Sequence, residues 1–159
     1  DAAVKNPHHP RARANLAVAL MRHGLHTESL VEAEKALSLG RDNFHAYNAA
    51  AQVVVGALVE LGQYEQAIQR GDELLRNQPQ RSDARPIWNI YAQQARAYAK
   101  LQRYPESYAK YVEALKFLQS MRGTDAPYPF EKSKLIAGIL LANFLAQRID
   151  VNPSDSSRG

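Results

Sequence analysis

The chain has 159 residues, 45% of them apolar, with a formal net charge of +4 and a pI near 9.4. This suits one globular domain and excludes a disordered chain, and no Lys/Arg run is dense enough to grip DNA. There is no cysteine, which excludes disulfides and thiolate metal sites and leaves either redox compartment open.

Residues 1–9 read as the tail of a preceding repeat or helix, because Asn6-Pro7 matches the later ending Asn77-Gln78-Pro79. A start in mid-element points to a piece of a longer protein. Pro7-His8-His9-Pro10 offers two imidazoles. Adjacent histidines in a turn point apart, and no carboxylate is near in sequence, so an exposed turn is expected rather than a metal site. Residues 10–43 form a first unit. Its apolar residues recur at helical spacing through Leu16, Ala19 and Leu20, then Leu30, Ala33, Ala36 and Leu37, with Gly24 between the two runs. Glu28, Glu32 and Glu34 open its second run, where they suit the helix dipole and a solvated face.

Residues 44–81 form a second unit of 38 residues, with a lengthened first helix. The added length is about one helical turn, which keeps the same face buried. Residues 82–122 form a third. Its first helix is expected from Asp83 or Ala84, with Pro86 in the first turn, where a missing N–H does no harm. Arg122-Gly123 is a helix stop, and Thr124 to Phe130 a loop holding Pro127 and Pro129. A last helix over 130–149 is apolar nearly all round, and 150–159 is a polar tail expected to be disordered. The run Leu135 to Leu145 is broken by Gly138 and Asn143. It is shorter than the roughly 20 residues a bilayer span takes, so no membrane insertion is expected of it. A helix apolar on several sides needs cover on several sides. Ile136, Leu140 and Phe144 are therefore candidates for self-association, giving a homodimer. No Gly-rich phosphate loop, Gly-x-Ser-x-Gly or His-Glu-x-x-His motif occurs, so neither catalysis nor a cofactor is expected.

Three segments share one spacing. Leu16-Ala17, Leu20, Gly24, Ser29, Ala33 and Ala36 begin it. Gly62, Tyr64, Ala67, Gly71, Leu74 and Pro79 repeat it. Tyr91, Ala95, Tyr98, Leu101, Tyr104, Ser107, Tyr111 and Ala114-Leu115 follow. The pattern resembles the tetratricopeptide repeat and covers most of the chain. The resemblance implies an all-α, right-handed superhelical solenoid of about three helical hairpins plus a C-terminal apolar capping helix. Physically, each hairpin leaves apolar surface that only a neighbouring hairpin can cover.

The resemblance also implies a function. In that family the first helices of the hairpins line a concave groove that binds a peptide or partner protein. Carried over by position, the groove holds Arg11, Asn15 and Arg22, with Ala14, Val18 and Met21, from the first unit. It holds Asn48 and Gln52, with His45 and Ala49, from the second. It holds Gln93, Arg96 and Lys100, with Asn89, Ala92 and Ala99, from the third. Amides can bond a peptide backbone, and Arg22, Arg96 and Lys100 can hold a carboxylate. The chaperone-tail clamp of some members is absent, since Ala14 and Val18 stand where it needs Lys and Asn. Of the asparagine ladder that lines the repeats of O-linked N-acetylglucosamine transferase, Asn15 matches and Ala49 and Gln93 depart. An RNA-binding helical repeat is the weaker alternative, because the lining does not repeat as a base-reading code does. The opening residues, Asp1 to Pro7 with Arg11, Arg13 and Asn15-Leu16, are similar to a junction in bacterial polytopic membrane proteins. In those, a mannosyltransferase-like membrane part precedes tetratricopeptide repeats outside the cytoplasm. That likeness implies an extracytoplasmic location, the cytoplasm being the alternative.

Overall fold

A computed structural model describes residues 8–79, 88–120 and 129–151. Among them the chain is all-helical, with no strand. The helices are α1 (Pro10–Arg22), α2 (His26–Leu39), α3 (Phe44–Glu60), α4 (Tyr64–Arg76), α5 (Trp88–Lys100), α6 (Tyr104–Ser120) and α7 (Pro129–Val151). The expected helix start at Asp83 or Ala84, residues 121–128 and both chain ends lie outside the described residues; Pro129 and Phe130, expected in a loop, instead open α7, where a proline in the first turn needs no N–H. No described helix is long and apolar enough to cross a membrane.

Local chemistry sets the helix starts. The His9 ring accepts a hydrogen bond from the Ala12 N–H through Nδ1 at 3.3 Å, and Pro10 takes the first helical position. His9 thus caps α1. Asn43 caps α3 in the same way, its Oδ1 accepting from the Ala46 N–H at 3.1 Å.

One turn recurs three times. It joins α1 to α2, α3 to α4, and α5 to α6, and each time a residue takes a left-handed backbone: Gly24 (φ 76°), Gly62 (φ 75°) and Gln102 (φ 59°). The hydrogen bonds match as well. Leu25 N–H donates to Leu20 O at 3.0 Å, Gln63 to Leu58 at 2.9 Å and Arg103 to Tyr98 at 2.9 Å. This is a Schellman-type helix end, which favours glycine at the left-handed position. Gln102 is the departure.

The two helices of a hairpin approach closely through small residues. Ser29 and Ala17 are fully buried, and the Ser29 hydroxyl donates to Ala17 O at 2.8 Å. Ser107 and Ala95 repeat the contact at 2.8 Å and the same separation of 12 residues. Ala67 holds the matching place in the middle hairpin, also fully buried.

Successive hairpins then pack together. α3 touches α1 and α2 on one side, α4 and α5 on the other. A single core runs through α1 to α5, from Ala14 and Ala17 through Val54 and Leu58 to Ile90 and Ala97. The core side of α5 seats Gln94, fully buried, in a notch over Gly71. A Cβ on Gly71 would meet the Gln94 amide at 2.6 Å. That amide donates to Ile68 O at 2.9 Å and to Asp72 Oδ1 at 2.8 Å. Ion pairs bridge successive outer helices. Arg70 on α4 meets Glu34 on α2 at 2.7 Å, and Lys110 on α6 approaches Asp72 on α4 at 3.6 Å. The hydrogen bonds to Glu34 are the main cause of the raised pKa of Arg70. Within the first hairpin, Arg13 meets Glu32 at 2.8 Å. Burial works against the Glu32 charge, but hydrogen bonds from Lys35 and Arg13 outweigh it and hold the carboxyl below its usual range. Glu32 and Glu34 are thus committed to ion pairs that tie helices together.

α7 packs against α6. Leu135 and Ala142 are buried, and Gly138 lies under the Tyr111 ring so closely that a Cβ there would fall 2.7 Å from a ring carbon. Its opposite side is open.

The turn can be tested by exchange. A left-handed backbone costs a side-chain-bearing residue about 1–2 kcal/mol, partly offset by the greater unfolded-state freedom of glycine. Gln102→Gly is therefore expected to raise stability by about 0.5–1 kcal/mol in urea unfolding, and Gly62→Gln to lower it by a similar amount or more.

A candidate binding face on the first helices

α3 is the centre of the face. Twelve of its 17 residues are buried, so the remainder mark its only opening. They are His45, Asn48, Ala49, Gln52 and Glu60. Their spacing puts them on one stripe, which passes over Gly56. Gly56 also locates the flanking helices. A Cβ built on it would lie 3.3 Å from Met21 Cε of α1 and 3.9 Å from Gln93 Nε2 of α5. The three first helices thus present one shared open face.

On α1 the exposed members are Arg11, Asn15 and Arg22, in line with half-buried Val18. Ala14, placed on the groove by the resemblance, is fully buried instead. Its small side chain lies in the core between α1 and its neighbours. Leu16 departs in the other direction, at 36% exposed, while Val54 and Gln94 at the matching places of α3 and α5 are fully buried.

The middle of the face is held by amides. Asn89 Nδ2 donates to Gln52 Oε1 at 3.0 Å, joining α5 to α3. Asn48 Oδ1 is buried and has no hydrogen-bond partner. Gln94 Oε1, in the core, has the same status.

The end where the first helices terminate is ionic. Arg96 donates through one nitrogen to Gln93 Oε1 at 2.8 Å and through another to Glu60 Oε1 at 2.9 Å. Arg22 and Lys100 are the last residues of α1 and α5, and both are exposed. Neither meets a carboxylate among the described residues. Arg11 stands unpaired in the same way at the opposite end of α1.

Of the residues assigned to the groove from the sequence, Arg11, Asn15 and Arg22 lie on α1, Asn48 and Gln52 on α3, and Gln93, Arg96 and Lys100 on α5, while Ala14 is buried. The face also contains one that the sequence reading missed. Glu60 sits two residues before Gly62, as Arg22 sits before Gly24 and Lys100 before Gln102. Counting α3 from its start hid this, because α3 has 17 residues where α1 and α5 have 13. Counting back from the glycine turn would have found it.

α7 packs against α6, and its Leu135 joins Ala114 and Leu118 in a second apolar cluster beside Tyr91 and Ala92 of α5. Ile136, Leu140 and Phe144 are 38%, 64% and 55% exposed, and Leu141, not singled out from sequence, is 58% exposed. Arg148 covers part of the Phe144 ring, its guanidinium carbon 5.6 Å from the centroid. Among the described residues no group of three or more His, Asp or Glu side chains is placed to hold a metal ion.

The chain matches no known family model, and no curated protein matches it.

The face cations stand outside the core, so removing them is expected to be mild. Arg22→Ala, Arg96→Ala and Lys100→Ala should each stay within about 0.5 kcal/mol of the parent in urea unfolding. A loss above about 2 kcal/mol would mean that the side chain supports the fold rather than the face.

Proposed function

We propose that this chain is a tetratricopeptide-type array, wound as a right-handed solenoid, whose first-helix face binds a peptide or partner protein as part of a larger protein. One observation carries the reading. α3 is enclosed on all sides but one, and that one side is a polar stripe flanked by matching stripes on α1 and α5. A stripe kept open between packed helices, with amides at its centre and cations at its ends, has the chemistry of a peptide-docking surface. The matched turns, the matched Ser–Ala contacts and the inter-hairpin ion pairs support the repeat reading.

Affinity capture tests it, with the 159-residue chain as bait, with and without RNase. Defined proteins should be retained after RNase, and capture should fall about tenfold with an Arg22/Gln52/Arg96 triple-alanine variant that still folds by circular dichroism. Capture that collapses with RNase would favour the RNA-binding alternative.

A second reading rests on a separate observation, the exposed apolar side of α7. Burying Ile136, Leu140, Leu141 and Phe144 against a second copy would remove them from water, at about 25 cal/mol for each Å² of apolar area covered. Light scattering across a concentration series should then show a dimer that Leu140→Glu returns to monomer. A strict monomer at high concentration removes this reading.

A further inference from the structure

We infer that the open face selects an acidic polypeptide segment, whose side-chain carboxylates meet Arg22, Arg96 and Lys100 where α1, α3 and α5 end. This rests on the peptide-docking reading above and adds the chemistry of the partner.

The argument begins with how charge is divided between the two sets of helices. α1, α3 and α5 carry five cations and one carboxylate, Glu60. α2, α4 and α6 carry eight carboxylates and five cations. The mild positive charge of the whole chain is therefore concentrated on the helices that form the face. Pairing sharpens the difference. On the outer helices Arg70 and Lys110 lie against carboxylates. On the first helices Arg13 is taken by Glu32 of α2 and Arg96 by Glu60, and among the described residues Arg22 and Lys100 meet no carboxylate.

Helix-end capping alone does not account for this arrangement. A cation in the last turn favours the partial negative charge of its own helix end. Yet the last residue of α3, at the same place as Arg22 and Lys100, is Glu60, and it faces across to Arg96 on α5. The three helix ends thus form a row of cation, carboxylate and cation, with a further cation over the carboxylate. An incoming carboxylate can meet Arg22 or Lys100 directly. It can also displace Glu60 from Arg96, since both members of that pair are partly exposed, at 43% and 36%. Exposed pairs of this kind are worth at most about 1 kcal/mol, so exchange is easy.

The amides explain why the partner is a polypeptide rather than a bare polyanion. Exposed Asn15 and half-buried Asn48, Gln52 and Asn89 lie along the first helices between the cations, and amides both donate to and accept from a peptide backbone. A peptide offers a backbone N–H donor at every residue but proline, whereas a nucleic-acid strand offers phosphate acceptors and, in RNA, one 2′-hydroxyl per nucleotide. The partner that satisfies both ends of the face carries carboxylates at one end and free backbone N–H groups beside them.

Phage display of random twelve-residue peptides against the full 159-residue chain tests this, with binding then measured for the selected pool. Asp and Glu are expected to be enriched over the unselected pool. Selected peptides should bind the R22E/K100E variant about tenfold more weakly, because reversing unpaired charges adds repulsion without removing a structural contact. Circular dichroism confirms that the variant is folded. Enrichment of neutral or basic peptides overturns the acidic selectivity but leaves a docking face. No enrichment over an empty support overturns the docking reading as well. Displacement of the selected peptides by polyuridylate at equal nucleotide and residue concentrations overturns the polypeptide assignment, since a polyanion would then suffice.

Discussion

The architecture depends on the close approach of two helices within each hairpin. Ala17 against Ser29, and Ala95 against Ser107, allow it, and the serine hydroxyls are satisfied by backbone carbonyls in the buried contact. A larger residue at either place would push the helices apart in a core that has little room to relax. The left-handed turn residues then fix the angle at which the second helix returns. With contact and turn both set, each hairpin is a rigid unit with apolar surface to spare. The next hairpin covers that surface. The face on α1, α3 and α5 is what this stacking leaves uncovered.

Much of this was legible in the sequence, because the constraints fall on distinctive residues. Gly24 and Gly62 announce two turns, and the run of alanines and serines announces the close contacts. The third turn is harder to see, because Gln102 occupies a place where glycine avoids strain. Only the spacing of Ala95, Tyr98 and Ser107 around it gives the turn away. Ala14 shows the opposite limit. Position in a repeat assigns it to the open side, yet a small residue near the seam of two helices sinks into that seam. Glu60 was missed for a geometric reason. An extra turn near the start of α3 leaves the buried face unchanged but shifts every count made from that end.

The exposed side of α7 follows from the same stacking rule. α7 meets α6 through Leu135, Gly138 and Ala142, and the Tyr111 ring fills the space that a side chain on Gly138 would occupy. That contact resembles the seating of Gln94 over Gly71, one hairpin earlier, where a glycine also receives a side chain from the neighbouring helix. α5 is covered by α3, α4 and its hairpin partner α6. α7 has no such cover among the described helices, and its free side is lined with Leu140, Leu141 and Phe144 in place of the small residues that let α5 and α6 approach. Bulky residues there suit a looser contact between separate surfaces better than the tight return of a hairpin.

Charge is where structure adds most to composition. A net charge of +4 spread over 159 residues says little. Its division between inner and outer helices says more, because the division follows from pairing as well as from sequence. Some carboxylates of the outer helices tie hairpins together, as Glu34 does with Arg70 and Asp72 with Lys110. The first helices are joined by small apolar residues, by the Gln52–Asn89 amide contact and by one partly exposed ion pair, Arg96 with Glu60. Among the described residues Arg22 and Lys100, at the ends of α1 and α5, meet no carboxylate. Under the proposed docking reading, charge reversal at Arg22 and Lys100 alters what binds while leaving the stacking intact.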